Sequence, residues 1–258
     1  MPDEAAPDLL RAVVILPTYN EVETLESVLD LVLAADPRLD VLVVDDASPD
    51  GTGRLADAIA SASERVSVLH RQGKDGLGRA YLSGFDQALA RGYEVIIEMD
   101  ADGSHPADQL DELLAAVTVG PAELAIGSRW VPGGSVIDWS RARQALSRGG
   151  NTYARVVLGI PTRDATSGFR AYRADLLRRL HLADVHSRGY CFQIDMTLRA
   201  LDAGARVTEV PIVFRERISG VSKMSRSIVA EAMLRVTWWG VLRRLSPRRR
   251  QGRVGSTT

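Results

Sequence analysis

The sequence predicts an α/β fold in which helices cover both faces of a mostly parallel sheet. Short apolar runs rich in β-branched residues, at 12–16, 41–44, 66–69 and 95–99, are bounded by polar turns and read as buried strands. Between them lie segments of helical period: 23–33, with Leu25, Val28, Leu29 and Val32 on one stripe, and 77–90, with four apolar positions at helical spacing. Strand and helix alternate as crossover connections require, and such connections imply parallel pairing. A fifth strand is expected at 124–128.

Beyond that strand the pattern loosens into a segment rich in Gly, Arg and Ser, then resumes as a helix at 141–158 that opens a smaller second region. Residues 193–203 read as another helix, 206–214 as an extended strand pair broken by Pro211, and 225–245 as a final amphipathic helix. One domain is expected over 8–246, divided into 8–130 and 131–246, followed by a disordered basic tail over 247–258.

Composition narrows the function classes. The 258 residues hold 32 Lys+Arg against 33 Asp+Glu, which excludes a globally basic nucleic-acid binder and leaves anion chemistry to local clusters. The single cysteine, Cys191, can form neither an internal disulfide nor a cysteine metal cluster and reads as a small core residue in a reducing setting. No stretch reaches the roughly 18 apolar residues of a membrane span. Asp3 and Glu4 stand where a signal peptide would carry positive charge, so the chain is expected neither to cross a membrane nor to be exported. Arg243, Arg244, Arg248, Arg249, Arg250 and Arg253 nevertheless crowd the C-terminus after Trp238 and Trp239.

Ligands of open parallel sheets bind at the carboxyl ends of the strands, so the polar residues directly after each apolar run carry the information. The first strand ends in Pro17-Thr18-Tyr19-Asn20-Glu21, the second in Asp45-Asp46-Ala47-Ser48, the fourth in Asp100-Ala101-Asp102 and the fifth in Gly127-Ser128-Arg129. Two carboxylates at one strand exit suit a hard divalent cation, Mg²⁺ or Mn²⁺, bridging two phosphates. Asp46 suits a nucleotide base or ribose, whereas Asp45 can equally hold its loop through Ser48 and Thr52. Asp50-Gly51-Thr52 reads as a turn in which Thr52 caps a helix. The glycine-rich 73–78 lacks the Lys-Ser/Thr pair of a phosphate loop and reads either as a loop bordering the nucleotide or as a plain turn. Arg143 and Ser147 are four apart and share one helical face, which solvent alone could also explain.

With Thr166-Ser167-Gly168-Phe169-Arg170, Gly-Leu-Gly-x-Ala-Tyr at 76–81 and Arg217-x-x-Gly220-x-Ser222-Lys223 added, the order of motifs from about residue 11 to 240 resembles the dolichol/polyprenol-phosphate mannose synthases of glycosyltransferase family 2. The first three strand-end motifs recur across that family, and the segments at 76–81 and 217–223 point to this branch. Gly103-Ser104 departs from many relatives beside the metal-binding pair. The resemblance implies a GT-A fold, with 8–130 as the nucleotide-sugar half and 131–246 as the acceptor half. It implies that Pro17, Tyr19, Glu21, Val44 and Asp46 surround the nucleotide, that Asp100, Ala101 and Asp102 hold sugar and metal, that Arg129, Arg143 and Ser147 meet the acceptor phosphate, and that Arg217 and Lys223 meet phosphates of donor and acceptor.

The activity so implied moves mannose from GDP-mannose to a polyprenyl phosphate, with UDP-glucose as the alternative donor. A polymerising relative would carry a Gln-x-x-Arg-Trp segment, which is absent, and a non-catalytic subunit would have no need of both acids and both cations. Attachment at the cytoplasmic face of the cell membrane is expected through Ile228, Val229, Met233, Val236, Trp239 and Leu242 on one stripe of the last helix, with Arg235, Arg243 and Arg244 at its edge. A helix packed on the core and a membrane-protein anchor are the alternatives.

Overall fold

The computed structural model describes residues 10–187, 189–216 and 226–245. The first half alternates as expected: β1 (Ala12–Thr18), α1 (Leu25–Ala35), β2 (Leu39–Asp45), α2 (Thr52–Ala62), β3 (Val66–His70), α3 (Leu77–Ala90), β4 (Val95–Glu98), α4 (Leu110–Thr118) and β5 (Leu124–Ser128). A short β6 (Ser135–Val136) and α5 (Arg141–Leu158) follow, then β7 (Arg170–Arg173), α6 (Ala174–Arg179), α7 (Tyr190–Asp202), β8 (Val207–Pro211), β9 (Val213–Phe214) and α8 (Arg226–Leu245). Seven strands form one sheet in the order β3-β2-β1-β4-β7-β5-β8, and β6 pairs with β9 beside it. Residues on both sides of position 130 therefore share the main sheet. The expected tail over 247–258 lies outside the described residues.

Alternation along β1 builds the two layers. Ala12, Val14 and Leu16 face one cluster with Leu25, Val28 and Leu29 of α1 and Leu113 of α4; Val13 and Ile15 face the other with Tyr81 and Phe85 of α3, Leu176 of α6 and Met196 of α7. Tight helix approach is written into the sequence at Gly84, where a Cβ would stand 2.7 Å from Cγ2 of the buried Ile15. Cys191 is a buried free thiol, as its core reading requires.

Several boundaries differ from the sequence expectation for identifiable reasons. Helix α1 starts at Leu25, because the carbonyl of Glu21 first takes the N–H groups of both Thr24 and Leu25. Thr52 is not a cap: Gly51, at φ 99°, occupies that position, and the Thr52 hydroxyl bonds Asp50 Oδ1 at 2.6 Å. The strand pair breaks at Ile212 rather than Pro211, which still sits opposite Ser128 in β8 before the chain leaves to pair with β6. Strand β7 was not expected, and it runs antiparallel between β4 and β5. Its sequence, Arg-Ala-Tyr-Arg, hides a strand because Arg170 is fully buried; Nε bonds Ser167 O, one terminal nitrogen bonds Gln193 O and Thr197 Oγ1, and the other bonds Ala165 O.

Helix α8 corrects the expected apolar stripe. Val236 is buried and Trp239 packs on a third cluster with Ala154 and Leu158 of α5, while Arg243 is bound to Asp202. Of the expected stripe, Ile228 and Val229 have side chains outside the description, and Met233 and Leu242 are exposed at its flanks. The outward face instead carries Leu234, Trp238, Val241 and Leu245, which are 72%, 61%, 41% and 75% exposed. The helix is apolar on two opposite sides, so it is not amphipathic in the usual sense.

Two glycines on helices separate propensity from packing. At Gly149 in α5 an added Cβ meets nothing within 4 Å, whereas at Gly84 it meets Ile15. Alanine gains the same helix propensity at both sites, about 1 kcal/mol, but overpacking costs about 1–3 kcal/mol in a filled core. Chemical denaturation should therefore find Gly84→Ala less stable than Gly149→Ala by about 1–3 kcal/mol. Equal stabilities would show that the α3–β1 contact relaxes freely.

Candidate active site

The site forms where β1, β2 and β4 end. Asn20 and Ala47 take left-handed backbone angles of 62° and 55°, turning the chain sharply after β1 and β2. The two loops are then tied together: Asn20 N–H donates to Ser48 Oγ, Glu21 N–H to Thr52 Oγ1 and Val22 N–H to Asp50 Oδ2. Asp45 accepts from Thr18, from Ser48 N–H and from the Ser48 hydroxyl, so it holds the loop through Ser48 as one of its two readings proposed. Its other expected partner, Thr52, belongs to Asp50.

That scaffolding leaves Tyr19 and Glu21 as partly accessible groups of this edge, with Pro17 beside them and Asp46 buried behind. Asp46 is ion-paired with Arg71; burial raises its carboxyl above the ordinary range, against the pull of that arginine. Lys74 from the glycine-rich loop stands 3.8 Å from the Tyr19 ring centroid, which favours the reading of that loop as a border of the site over a plain turn. Val44 is different. Its side chain is wholly buried in the core under α3, so only its backbone can face a ligand.

The two acids after β4 are held unequally. Thr24 Oγ1 bonds Ala101 O at 2.8 Å and anchors their loop to the start of α1. Asp102 is buried and accepts from Ser104 N–H and Oγ. Asp100 is a quarter exposed and accepts from the hydroxyl of Tyr81, which burial and then Asp100 itself keep protonated by pushing its pKa well up. His105 Nδ1 accepts from Asp100 N–H, so its proton belongs on Nε2, 3.9 Å from Asp100 Oδ2. Two residues upstream, Glu98 is completely buried beside Gln193, and burial pushes its carboxyl up to about 7 against the opposing charge of Arg170.

Asp100 opens into a cavity of about 330 Å³ that brings together Arg129, Arg143 and Ser147. All three were expected to share one ligand. Around them the wall is apolar: Trp139, Tyr153, Ile194 and Phe214, closed by Ala232, Met233 and Val236 of α8. Gly168 lies on the floor, where an added Cβ would come within 3.9 Å of Asp100 Oδ1. A second cavity of about 220 Å³ lies at the other end of the strands near Tyr93 and holds none of the expected site residues.

The arginines in the larger cavity are not equivalent. Arg129 is buried and held in a two-pronged contact at 2.7 Å by Asp164, which is itself fully buried. Although burial works to raise it, Arg129 holds the Asp164 carboxyl below its usual range. Arg143 lies over Trp139 at 4.0 Å from the ring centroid and pairs with Glu216. Arg217 and Lys223 lie outside the described residues. Sequence reasoning missed Lys74, Trp139, Asp164 and Glu216; the only local signal was Trp139 beside Ser140, the side-chain cap of α5.

Known proteins resemble the chain in sequence and in fold. Residues 13–180 match the model for glycosyl transferase family 2. The chain is 55% identical over 236 residues to a polyprenol monophosphomannose synthase of Mycolicibacterium smegmatis, covering 91% of this chain and 89% of the relative. It is 53% identical over 235 residues to an undecaprenyl-phosphate mannosyltransferase of Micrococcus luteus, covering 91% and 96%. Two solved structures share the fold at low identity. One is a glucosyl-3-phosphoglycerate synthase of Mycobacterium tuberculosis with Mn²⁺, UDP-glucose and phosphoglyceric acid, at TM-score 0.65, 21% identity and 92% and 80% coverage. The other is a mannosyltransferase of Pyrobaculum calidifontis with GDP-mannose and Mn²⁺, at TM-score 0.58, 22% identity and 94% and 68% coverage. The architecture is thus the expected GT-A type, and with the family model spanning well over half its length the chain belongs to glycosyl transferase family 2.

Proposed function

We propose that this chain transfers mannose from GDP-mannose to the phosphate of a polyprenyl monophosphate, with 8–130 seating the nucleotide sugar and 131–246 the acceptor. The observation that carries the reading is the cavity in which Asp100 meets Arg129, Arg143 and Ser147 under an apolar wall from α5 and α8. An acid for the donor, cations for a phosphate and an apolar surface for a chain are what a lipid phosphate acceptor requires. The mannosyl relatives at 55% and 53% identity support the sugar and the lipid phosphate.

Asp100 and Asp102 are proposed to hold Mg²⁺ or Mn²⁺. Among the described residues no cluster of three His, Cys, Asp or Glu could hold a metal by itself, and two carboxylates suit a cation whose shell is completed by water and a substrate diphosphate. A cation held by Asp100 and Asp102 would supply positive charge to offset that developing on the departing diphosphate. Mn²⁺ in both solved neighbours supports a divalent ion.

No strong base is required. The second pKa of a phosphate monoester is about 6, so the attacking oxygen is already largely ionised at neutral pH. The protein must bring two anions together, align them and hold them away from water. Arg143 and Ser147 orient the phosphate, Tyr19 and Asp46 border the nucleotide, and Arg217 and Lys223 add positive charge at the phosphates. A single displacement inverts an α-linked donor into a β-linked lipid phosphosugar.

We also propose that the protein works at a bilayer, at its cytoplasmic face, because its acceptor is a lipid. No described helix is long and apolar enough to cross a membrane. The outward stripe Leu234, Trp238, Val241 and Leu245 is proposed to lie in the interface. Helices α5 and α8, which pack together, carry four arginines each and a single acid, Glu231, between them, although the whole chain is net −1. That local charge suits an anionic surface, where each basic residue adds about 1 kcal/mol.

Three outcomes test this reading. With a short polyprenyl phosphate as acceptor, GDP-mannose should yield labelled extractable lipid faster than UDP-glucose at equal concentration; the reverse order would reassign the sugar. Asp102→Ala should lower kcat by on the order of 100-fold or more, and near-normal turnover with an unchanged metal requirement would remove it from the site. Trp238→Glu combined with Leu245→Glu, both on the exposed face, should reduce co-sedimentation with vesicles containing anionic lipid. Equal sedimentation of variant and parent would leave attachment to another surface or to a membrane protein.

A further inference from the structure

The two cavity arginines differ in how readily they can change partners. Arg129 and Asp164 form a buried, two-pronged pair with Thr166 and Asn151 packed into the same network, and separating it would strand a charge away from water. Arg143 is placed differently. Its partner Glu216 is 37% exposed, and the arginine side chain is 22% exposed, so water can take over either group when the pair opens.

Glu216 reaches Arg143 across 73 residues of sequence, and the route is built by the fold. Strand β9 pairs with β6, Ile137 N–H donates to Phe214 O at 2.8 Å, and the Phe214 ring meets Trp139 edge-on at 5.4 Å. The end of β9 is thereby pinned beside the first turn of α5, where the Ser140 side chain accepts from Arg143 N–H. Trp139 holds the guanidinium on its face while the carboxylate meets its edge.

We propose that the Glu216 carboxylate occupies the seat on Arg143 that the acceptor phosphate must take, so that the acceptor binds by exchanging one anion for another. This rests on the reading of Arg143 as an acceptor-phosphate group. The exchange selects for charge. A phosphate monoester brings about −1.5 to −2 charges and three strong acceptor oxygens near neutral pH, against the single charge of a carboxylate. An uncharged polyprenol has nothing to offer in return. Glu216 is accordingly a specificity-determining residue that sets how much negative charge an acceptor needs, and it keeps Arg143 paired while the cavity is empty of phosphate.

The test uses the full chain as wild type, Glu216→Gln, Arg143→Gln and the double variant, each checked for unchanged thermal melting. Acceptor KM is measured with a short-chain polyprenyl phosphate at saturating GDP-mannose, and the same lipid phosphate is titrated calorimetrically without donor. Glu216→Gln should lower acceptor KM and dissociation constant about two- to fivefold, the range set by partly exposed ion pairs. Arg143→Gln should raise both, and in its background Glu216→Gln should no longer help. If Arg143→Gln raises acceptor KM but Glu216→Gln leaves it unchanged or raises it, Glu216 is a support for Arg143 and the exchange is overturned while the cavity reading stands. If Arg143→Gln leaves acceptor binding unchanged, the acceptor reading of Arg143 fails and the exchange fails with it.

Discussion

A guanidinium without water survives in a protein only where its N–H groups are met, and the rest of this site depends on how Arg170 meets that demand. Fully buried in β7, it gathers the carbonyls of Ala165, Ser167 and Gln193 and the hydroxyl of Thr197. Those bonds pin the 164–168 loop against α7 and hold the antiparallel β7 between β4 and β5. Inserting a strand there sets the acids after β4 apart from Arg129 after β5 by one strand width. The same loop carries Asp164, which holds Arg129, and Gly168, which leaves the cavity floor open. One buried charge thus spaces the two sides of the cavity.

The carboxylates at the strand ends divide by the partners the backbone provides. Asp45 and Asp50 collect N–H and hydroxyl donors from their own and the neighbouring loop, and are consumed in shaping it. Asp100 accepts from the hydroxyl of a neutral tyrosine and keeps a quarter of its side chain exposed beside the cavity. A carboxylate so placed can still offer oxygen lone pairs to a cation. Positive charge is likewise distributed unevenly, concentrated on α5 and α8 and almost cancelled over the chain as a whole. Positive charge here is a local property of two packed helices.

Helix α8 shows why a helical stripe drawn from sequence alone can point the wrong way. Trp238 and Trp239 are adjacent, and either could face the protein. Gly240 decides, because its missing side chain lets α8 approach Val157 of α5, where a Cβ would stand 2.6 Å from Val157 Cγ1. With Gly240 against α5, Val236 and Trp239 must turn inward and Leu234 and Trp238 outward.

The sequence by itself determined the alternation of strands and helices, the two layers around β1 and the placement of Tyr19, Asp46, Asp100 and Asp102 at strand ends. Those features rest on periods of 2 and 3.6 residues and on the rule that polar residues follow a buried strand where it meets solvent. The common face of Arg143 and Ser147 was legible for the same reason, being a spacing within one helix. Only the tertiary structure decided that β7 runs antiparallel through the sheet, since its buried arginine reads as a surface residue until Ala165, Ser167 and Gln193 surround it. It alone decided that Asp164 holds Arg129 across 35 residues, that Glu216 holds Arg143 across 73, and that α8 turns Trp238 outward. Each of these is a contact between segments distant in the chain, where the energy comes from desolvation and partner geometry, and neither quantity has a period that a local pattern can carry.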